Sequence, residues 1–227
     1  MTCNCKTTLY YSFSLTLSHF FIALSFATAD EQPGTRLEES DPAILTIDRI
    51  YDGTDFSGKS FSGKWLSDKD SYTTLESTPS VSQQIVGHEA ETDSPVVLVS
   101  ADDLTPAQAA SPLEVEGYTF SPDQSLVLLY TNSKRVWRNN TRGDYWVLDR
   151  AAGQLKQLGG DIPPSSMMFA KLSPSGKQVA YVHDNDVYVE DLLNNTIQKL
   201  TKRASDAIIN GTTDWVYEEE LGLRDAF

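Results

Sequence analysis

Short apolar runs, each closed within a few residues by Gly, Pro, Asn or Asp, recur from about position 44 onward. Residues 96–99, 126–130, 145–148, 179–182 and 187–189 are of this kind. They are four to five residues long or shorter and rich in Val, Leu and Tyr, which predicts β-strands joined by tight turns. Helical periodicity is scarce. The acidic stretch 215–221 predicts one short helix, residues 104–110 predict a single helical turn, and 44-ILTIDRIY-51 reads as a strand. The pattern as a whole predicts an all-β chain.

A weak repeat runs through the strands. It reads 65-WLSDKDSYTTLE-76, 120-FSPDQSLVLLYT-131 and 172-LSPSGKQVAYVH-183. Each copy offers an apolar residue, a serine, a turn and a strand. The serines Ser67, Ser121 and Ser173 lie 54 and 52 positions apart. A period of that size with several strands per unit predicts the blades of a β-propeller. One further period from Ser173 falls near residue 226, so the sequence reads as the first blades of a longer, truncated propeller.

The beginning of the sequence has another character. Residues 9–26 are largely apolar, Lys6 precedes them, and Ala27-Thr28-Ala29 forms a small-x-small pattern. Residues 1–29 therefore read as a signal peptide for a secreted or periplasmic protein, with a membrane anchor through residues 9–26 as the alternative. Residues 30–43 form an acidic linker. Cys3 and Cys5 both fall within 1–29, so cleavage after Ala29 would leave no disulfide and no thiolate metal site. Asn139, Asn194 and Asn210 head Asn-x-Thr sequons, which matter in a eukaryotic secretory pathway.

Charge and motifs narrow the chemistry. A formal net charge of −14 disfavours nucleic acid and anionic membrane surfaces. The stretch 53-GTDFSGKS-60 matches the phosphate-binding loop pattern, but Gly63 and the polar residues behind it deny the helix that such a loop needs. It reads as a solvated connection. No Gly-x-Ser-x-Gly nucleophile turn occurs. His19, His88 and His183 are too scattered for a metal site, and 181-YVHDNDVYV-189 reads as a hairpin with a polar turn. No metal or cofactor is implied.

The strongest local feature is 214-DWVYEEEL-221. Adjacent carboxylates repel one another, and a cation between them relieves the repulsion. A bound ammonium could accept that role, with Trp215 and Tyr217 as walls. The alternative is a solvent-facing acidic turn. Arg138, in 136-VWRNN-140, is a second candidate, able to pair with a carboxylate or donate to a carbonyl.

These stretches together resemble the N-terminal β-propeller of the dipeptidyl peptidase IV family of serine exopeptidases. The resemblance covers residues 44 to 227 and is most specific in 209-INGTTDWVYEEEL-221. It implies an eight-bladed propeller capping a C-terminal α/β-hydrolase domain, and an enzyme that removes Xaa-Pro or Xaa-Ala dipeptides from peptide N-termini. It implies further that Glu219 and Glu220 bind the substrate's free amino group and that Arg138 contacts a substrate carbonyl. The catalytic Ser, Asp and His would belong to the hydrolase domain, which this chain lacks on the same reading. Homodimers are known in the family. The alternatives left open are a non-catalytic module that binds peptide N-termini and a non-functional gene fragment.

Overall fold

The computed structural model describes residues 44–53, 55–58, 60–67, 70–79, 81–92 and 94–227. The signal peptide at 1–29 and the linker, both expected from the sequence, lie outside the described residues. The chain divides into two units at Lys59/Ser60. The described part of the first is a short helix, α1 (Ile47–Tyr51). Ile47, Ile50 and Tyr51 fall at helical spacing, and Thr46 caps the start: the Thr46 side chain accepts from the Arg49 amide at 3.1 Å. This local hydrogen bond selects a helical start over the extended chain expected from residues 44–51.

The second unit is built from β-strands in antiparallel meanders. The first meander comprises β1 (Gly63–Trp65), β2 (Ser71–Thr78), β3 (Val81–Glu89) and β4 (Pro95–Val99). The second comprises β5 (Val115–Phe120), β6 (Leu126–Val136), β7 (Asn139–Asp149) and β8 (Gln154–Gln157). The third comprises β9 (Met167–Leu172), β10 (Gln178–His183), β11 (Asp186–Asp191) and β12 (Thr196–Lys199). Residues 60–62 carry no helix and lead directly into β1, so the phosphate-loop pattern at 53–60 lacks its structural context. Residues 104–110, expected as a helical turn, form non-helical turns closed by Thr105 to Asp102 and Ala109 to Pro106.

The repeat is real, but its register differs by one residue from the serine alignment. The turn into the second strand of each meander is closed by the same backbone hydrogen bond: Leu66 to Ser71, Ser121 to Leu126, and Ser173 to Gln178. The equivalent of Ser121 and Ser173 is thus Leu66, not Ser67. In the two later copies the serine hydroxyl also accepts from the amide five residues on, at 3.0 Å from Leu126 and 3.1 Å from Gln178. Leucine cannot make that bond, which explains why the first copy reads so weakly.

Packing follows from strand alternation. On β6, Val127 and Leu129 face a core shared with Ile85, Val99, Leu104, Val115, Tyr118 and Leu148. Leu128 faces the other way, into a core with Tyr145, Val147, Leu158, Met167, Val179 and Tyr181. The second meander is therefore buried on both faces between the first and the third. Its run 126-LVLLY-130 is continuously apolar for that reason. Burial also pushes the Tyr145 phenol up to about 12. Polar ties cross the same seams. The Tyr118 hydroxyl donates to Thr73 at 2.9 Å, and the Gln83 amide side chain pairs with both backbone groups of Val115. Between the second and third meanders, the buried Glu190 accepts from Lys156 at 2.7 Å and from the Gly159 amide at 2.8 Å. At Gly143, which pairs with Met167, an added Cβ would meet the Tyr130 ring at 2.3 Å, so only glycine permits this close approach.

Candidate functional site

Two elements bring the candidate residues together. The first is the hairpin of β6 and β7, whose tip is the two-residue turn Trp137-Arg138 between the paired Val136 and Asn139. Trp137 has φ of 56°, an uncommon conformation for a bulky side chain. It is 79% exposed. The second element is α2 (Trp215–Leu221), the helix expected from the sequence at the same residues. Asp214 caps its start, with its side chain accepting from the Tyr217 amide at 3.1 Å. Gly222, at φ 67°, ends it in the left-handed conformation that glycine adopts without strain.

The helix carries no buried residue, so packing alone does not hold it. A two-stranded ribbon closes its base: β13 (Gly211–Thr212) pairs with β14 (Asp225–Ala226). Lys171 of β9 forms an ion pair with Asp225 and donates to the Phe227 carbonyl at 3.1 Å. On the other side, Asn210 donates its side-chain amide to Asp186 at 2.9 Å and its backbone amide to Asn185 at 3.0 Å.

Asp186 is the root of this arrangement. Its carboxylate is almost wholly buried and faces the Lys199 ammonium at 2.7 Å, the Thr201 hydroxyl at 2.8 Å and Asn210. The Lys199 contact first, then donation from Thr201 and Asn210, holds its carboxyl down to about 2. The hairpin expected at 181–189 is present, with Asp184 and Asn185 both at positive φ as a tight two-residue turn requires. In the sequence this aspartate reads as part of a polar turn; its role as an anchor emerges only in the fold.

The carboxylates of α2 have distinct surroundings. Glu219 meets Arg138 at 2.6 Å; the glutamate side chain is 12% exposed, the arginine 75%. Glu218 accepts from the Asn139 side chain at 2.9 Å across 79 positions of sequence, and Arg224 lies 3.9 Å from it. Glu220 is exposed, and its side chain has no hydrogen-bond or ion-pair partner among the described residues. The structure thus joins two of the three sequence candidates, Arg138 and Glu219, and sets Glu220 beside them on the same helix. Asn139, Glu218 and Arg224 complete the cluster: Glu218 belongs to the acidic run that stands out in the sequence and Asn139 reads there only as a sequon, while Arg224 carries no signal. Trp215 and Tyr217, expected as walls, are 59% and 49% exposed, so neither forms a buried wall in this chain. The cation that relieves carboxylate repulsion at Glu219 is the chain's own Arg138.

The exposed carboxylate of Glu220 is open to a cationic group, whereas that of Glu219 is already engaged by the Arg138 guanidinium.

Residues 121–227 match the family model described as the dipeptidyl peptidase IV N-terminal region. The chain is 37% identical over 110 residues to dipeptidyl aminopeptidase B of Saccharomyces cerevisiae, covering 48% of this chain and 13% of that protein. It is 32% identical over 181 residues to dipeptidyl peptidase 4 of Trichophyton tonsurans, covering 78% of this chain and 21% of that protein. The chain therefore spans about a fifth or less of the length of these relatives. The crystal structure of Porphyromonas gingivalis dipeptidyl peptidase 4 superposes with a TM-score of 0.66 at 24% identity, over 80% of this chain and 25% of that one, and so shares its fold. Through residues 121–227, which hold the hairpin tip and the acidic helix, the chain belongs to the dipeptidyl peptidase IV N-terminal region family.

Proposed function

We propose that this chain is the substrate-recognising portion of a secreted dipeptidyl peptidase IV-like serine exopeptidase, one that releases Xaa-Pro or Xaa-Ala dipeptides from peptide N-termini. The three meanders are consecutive blades of a β-propeller on this reading. Their repeated turn at Leu66, Ser121 and Ser173 supports it, as does the packing of the second meander between its neighbours. The nucleophile, its base and the orienting acid lie outside residues 1–227, on an α/β-hydrolase domain of the complete protein.

One observation carries the proposal: the contact of Arg138 with Glu219 at 2.6 Å, beside Glu220 on α2. Glu219 and Glu220 receive the substrate ammonium through charge-assisted hydrogen bonds, and Arg138 turns to the first peptide carbonyl. An ammonium fixed there sets the distance to the scissile bond, and two residues fill the gap. A peptide with a blocked amino terminus offers no charge, and it would leave the carboxylates unpaired in the bound state.

The test is the complete protease carrying Glu219→Ala together with Glu220→Ala. Dipeptide release should fall roughly 30-fold or more in kcat/KM, the loss expected when one side of a close charge pair is removed. Unchanged release from that double variant would sink the ammonium clamp.

A further inference from the structure

The three sequons have different fates in the fold. Asn139 donates its side-chain amide to Glu218 at 2.9 Å, and its sequon threonine, Thr141, is buried. Asn210 donates its side-chain amide to the buried carboxylate of Asp186 at 2.9 Å. The next residue, Gly211, is packed so tightly that an added Cβ would lie 2.5 Å from Val182 and 2.9 Å from Val187. A bulky substituent on either amide would replace one of its two N–H groups and crowd the contacts that hold α2.

Asn194 is different. It lies in the turn between β11 and β12, and it is exposed, as are its neighbours Leu193, Asn195 and Thr196. Its backbone amide donates to Asp191 at 2.8 Å, which fixes the turn without engaging its side chain. Among the described residues its side-chain amide has no hydrogen-bond partner. The adjoining strand β12 is exposed along its whole length and pairs only with β11 among the described strands. A large polar substituent at Asn194 would therefore stand over open solvent beside an unpaired edge, where it would also hinder edge-to-edge association.

We propose that Asn194 is the N-glycan acceptor of this protein, and that Asn139 and Asn210 serve the fold unmodified. The proposal rests on the reading of residues 1–29 as a signal peptide and on a eukaryotic secretory pathway. In the transfer, the Asn194 amide nitrogen attacks the anomeric carbon of a lipid-diphosphate-linked oligosaccharide. A carbon–nitrogen bond forms, the bond from that carbon to the phosphate oxygen breaks, the amide gives up one proton, and the lipid diphosphate leaves.

The experiment expresses the full chain in yeast in two forms, one with its own residues 1–29 and one with a yeast secretion leader in their place. Glycosidase-treated protein is then mapped by peptide mass spectrometry. With the yeast leader, the soluble folded protein should carry one glycan, at Asn194. Asn194→Gln and Thr196→Ala should each abolish it and leave the thermal transition where it was. An unmodified Asn194, or a glycan on Asn139 or Asn210 in the folded fraction, would overturn the proposal. If only the form with its own residues 1–29 lacks the glycan, the signal-peptide reading fails while the acceptor assignment holds.

Discussion

The second meander and the acidic helix are held by opposite means. Strand β6 buries Val127, Leu128, Leu129 and Thr131, and its apolar side chains feed two cores at once. Helix α2 buries nothing. It is kept in place by a capping aspartate, a glycine end, a two-stranded ribbon and a chain of ion pairs and hydrogen bonds that ends at Asp186. Apolar burial is non-directional and strong in sum, so it fixes the architecture. Directional polar contacts are individually modest, but they set where each carboxylate points. Substitutions in the two regions should accordingly separate loss of fold from loss of site.

The largest effect belongs to the core. Leu129→Ala removes a fully buried side chain from the seam between the first and second meanders. It should lower stability by about 2–5 kcal/mol, read as an early cooperative transition in chemical denaturation. The anchor comes next, through pH. The Asp186 carboxyl sits at about 2 against an ordinary 3.8. Its contribution is therefore fully present above pH 3.8 and drains away as the pH falls toward 2. Fluorescence of the exposed Trp215 should report an acid step in that window, and Asp186→Asn should remove the step.

Smaller effects sharpen the comparison at the root and tip of the loop. Gly211 has φ of 81° and no room for a Cβ against Val182 and Val187. Gly211→Ala should cost about 1–3 kcal/mol through strain and overpacking, with hydrogen exchange accelerated in the ribbon and α2 before the meanders. Asp214→Ala deletes the helix cap and should cost about 1 kcal/mol. That loss should appear in the exchange of the α2 amides alone, with the denaturation midpoint of the meanders nearly unchanged.

Much of the strand content was legible in the sequence because each strand is short and ends in residues that favour turns. The run at 126–130 and the hairpin at 181–189 appear where the pattern put them. Helix α2 was legible because Asp214 and Gly222 are strong end signals around an acidic segment. Four features were not. Residues 44–51 are rich in Ile and read as a strand, yet Ile47, Ile50 and Tyr51 fall at helical spacing behind a side-chain cap at Thr46. The first repeat was aligned on Ser67 because a serine looks like a serine, whereas the backbone places Leu66 in the equivalent turn. Arg138 and Glu219 were each singled out, but their contact was invisible, since it depends on how a hairpin tip meets a helix far along the chain. Asp186 was hidden in the same way: its partners Lys199, Thr201 and Asn210 gather only once the third meander closes.

On the proposed function, α2 and the hairpin tip recognise a free peptide amino terminus. Isothermal titration of the full chain with a free Xaa-Pro peptide and with its N-acetylated form tests this most directly. The free peptide should bind, acetylation should abolish the heat, and Glu219→Ala should do the same to the free peptide. Equal binding of the two peptides would contradict it.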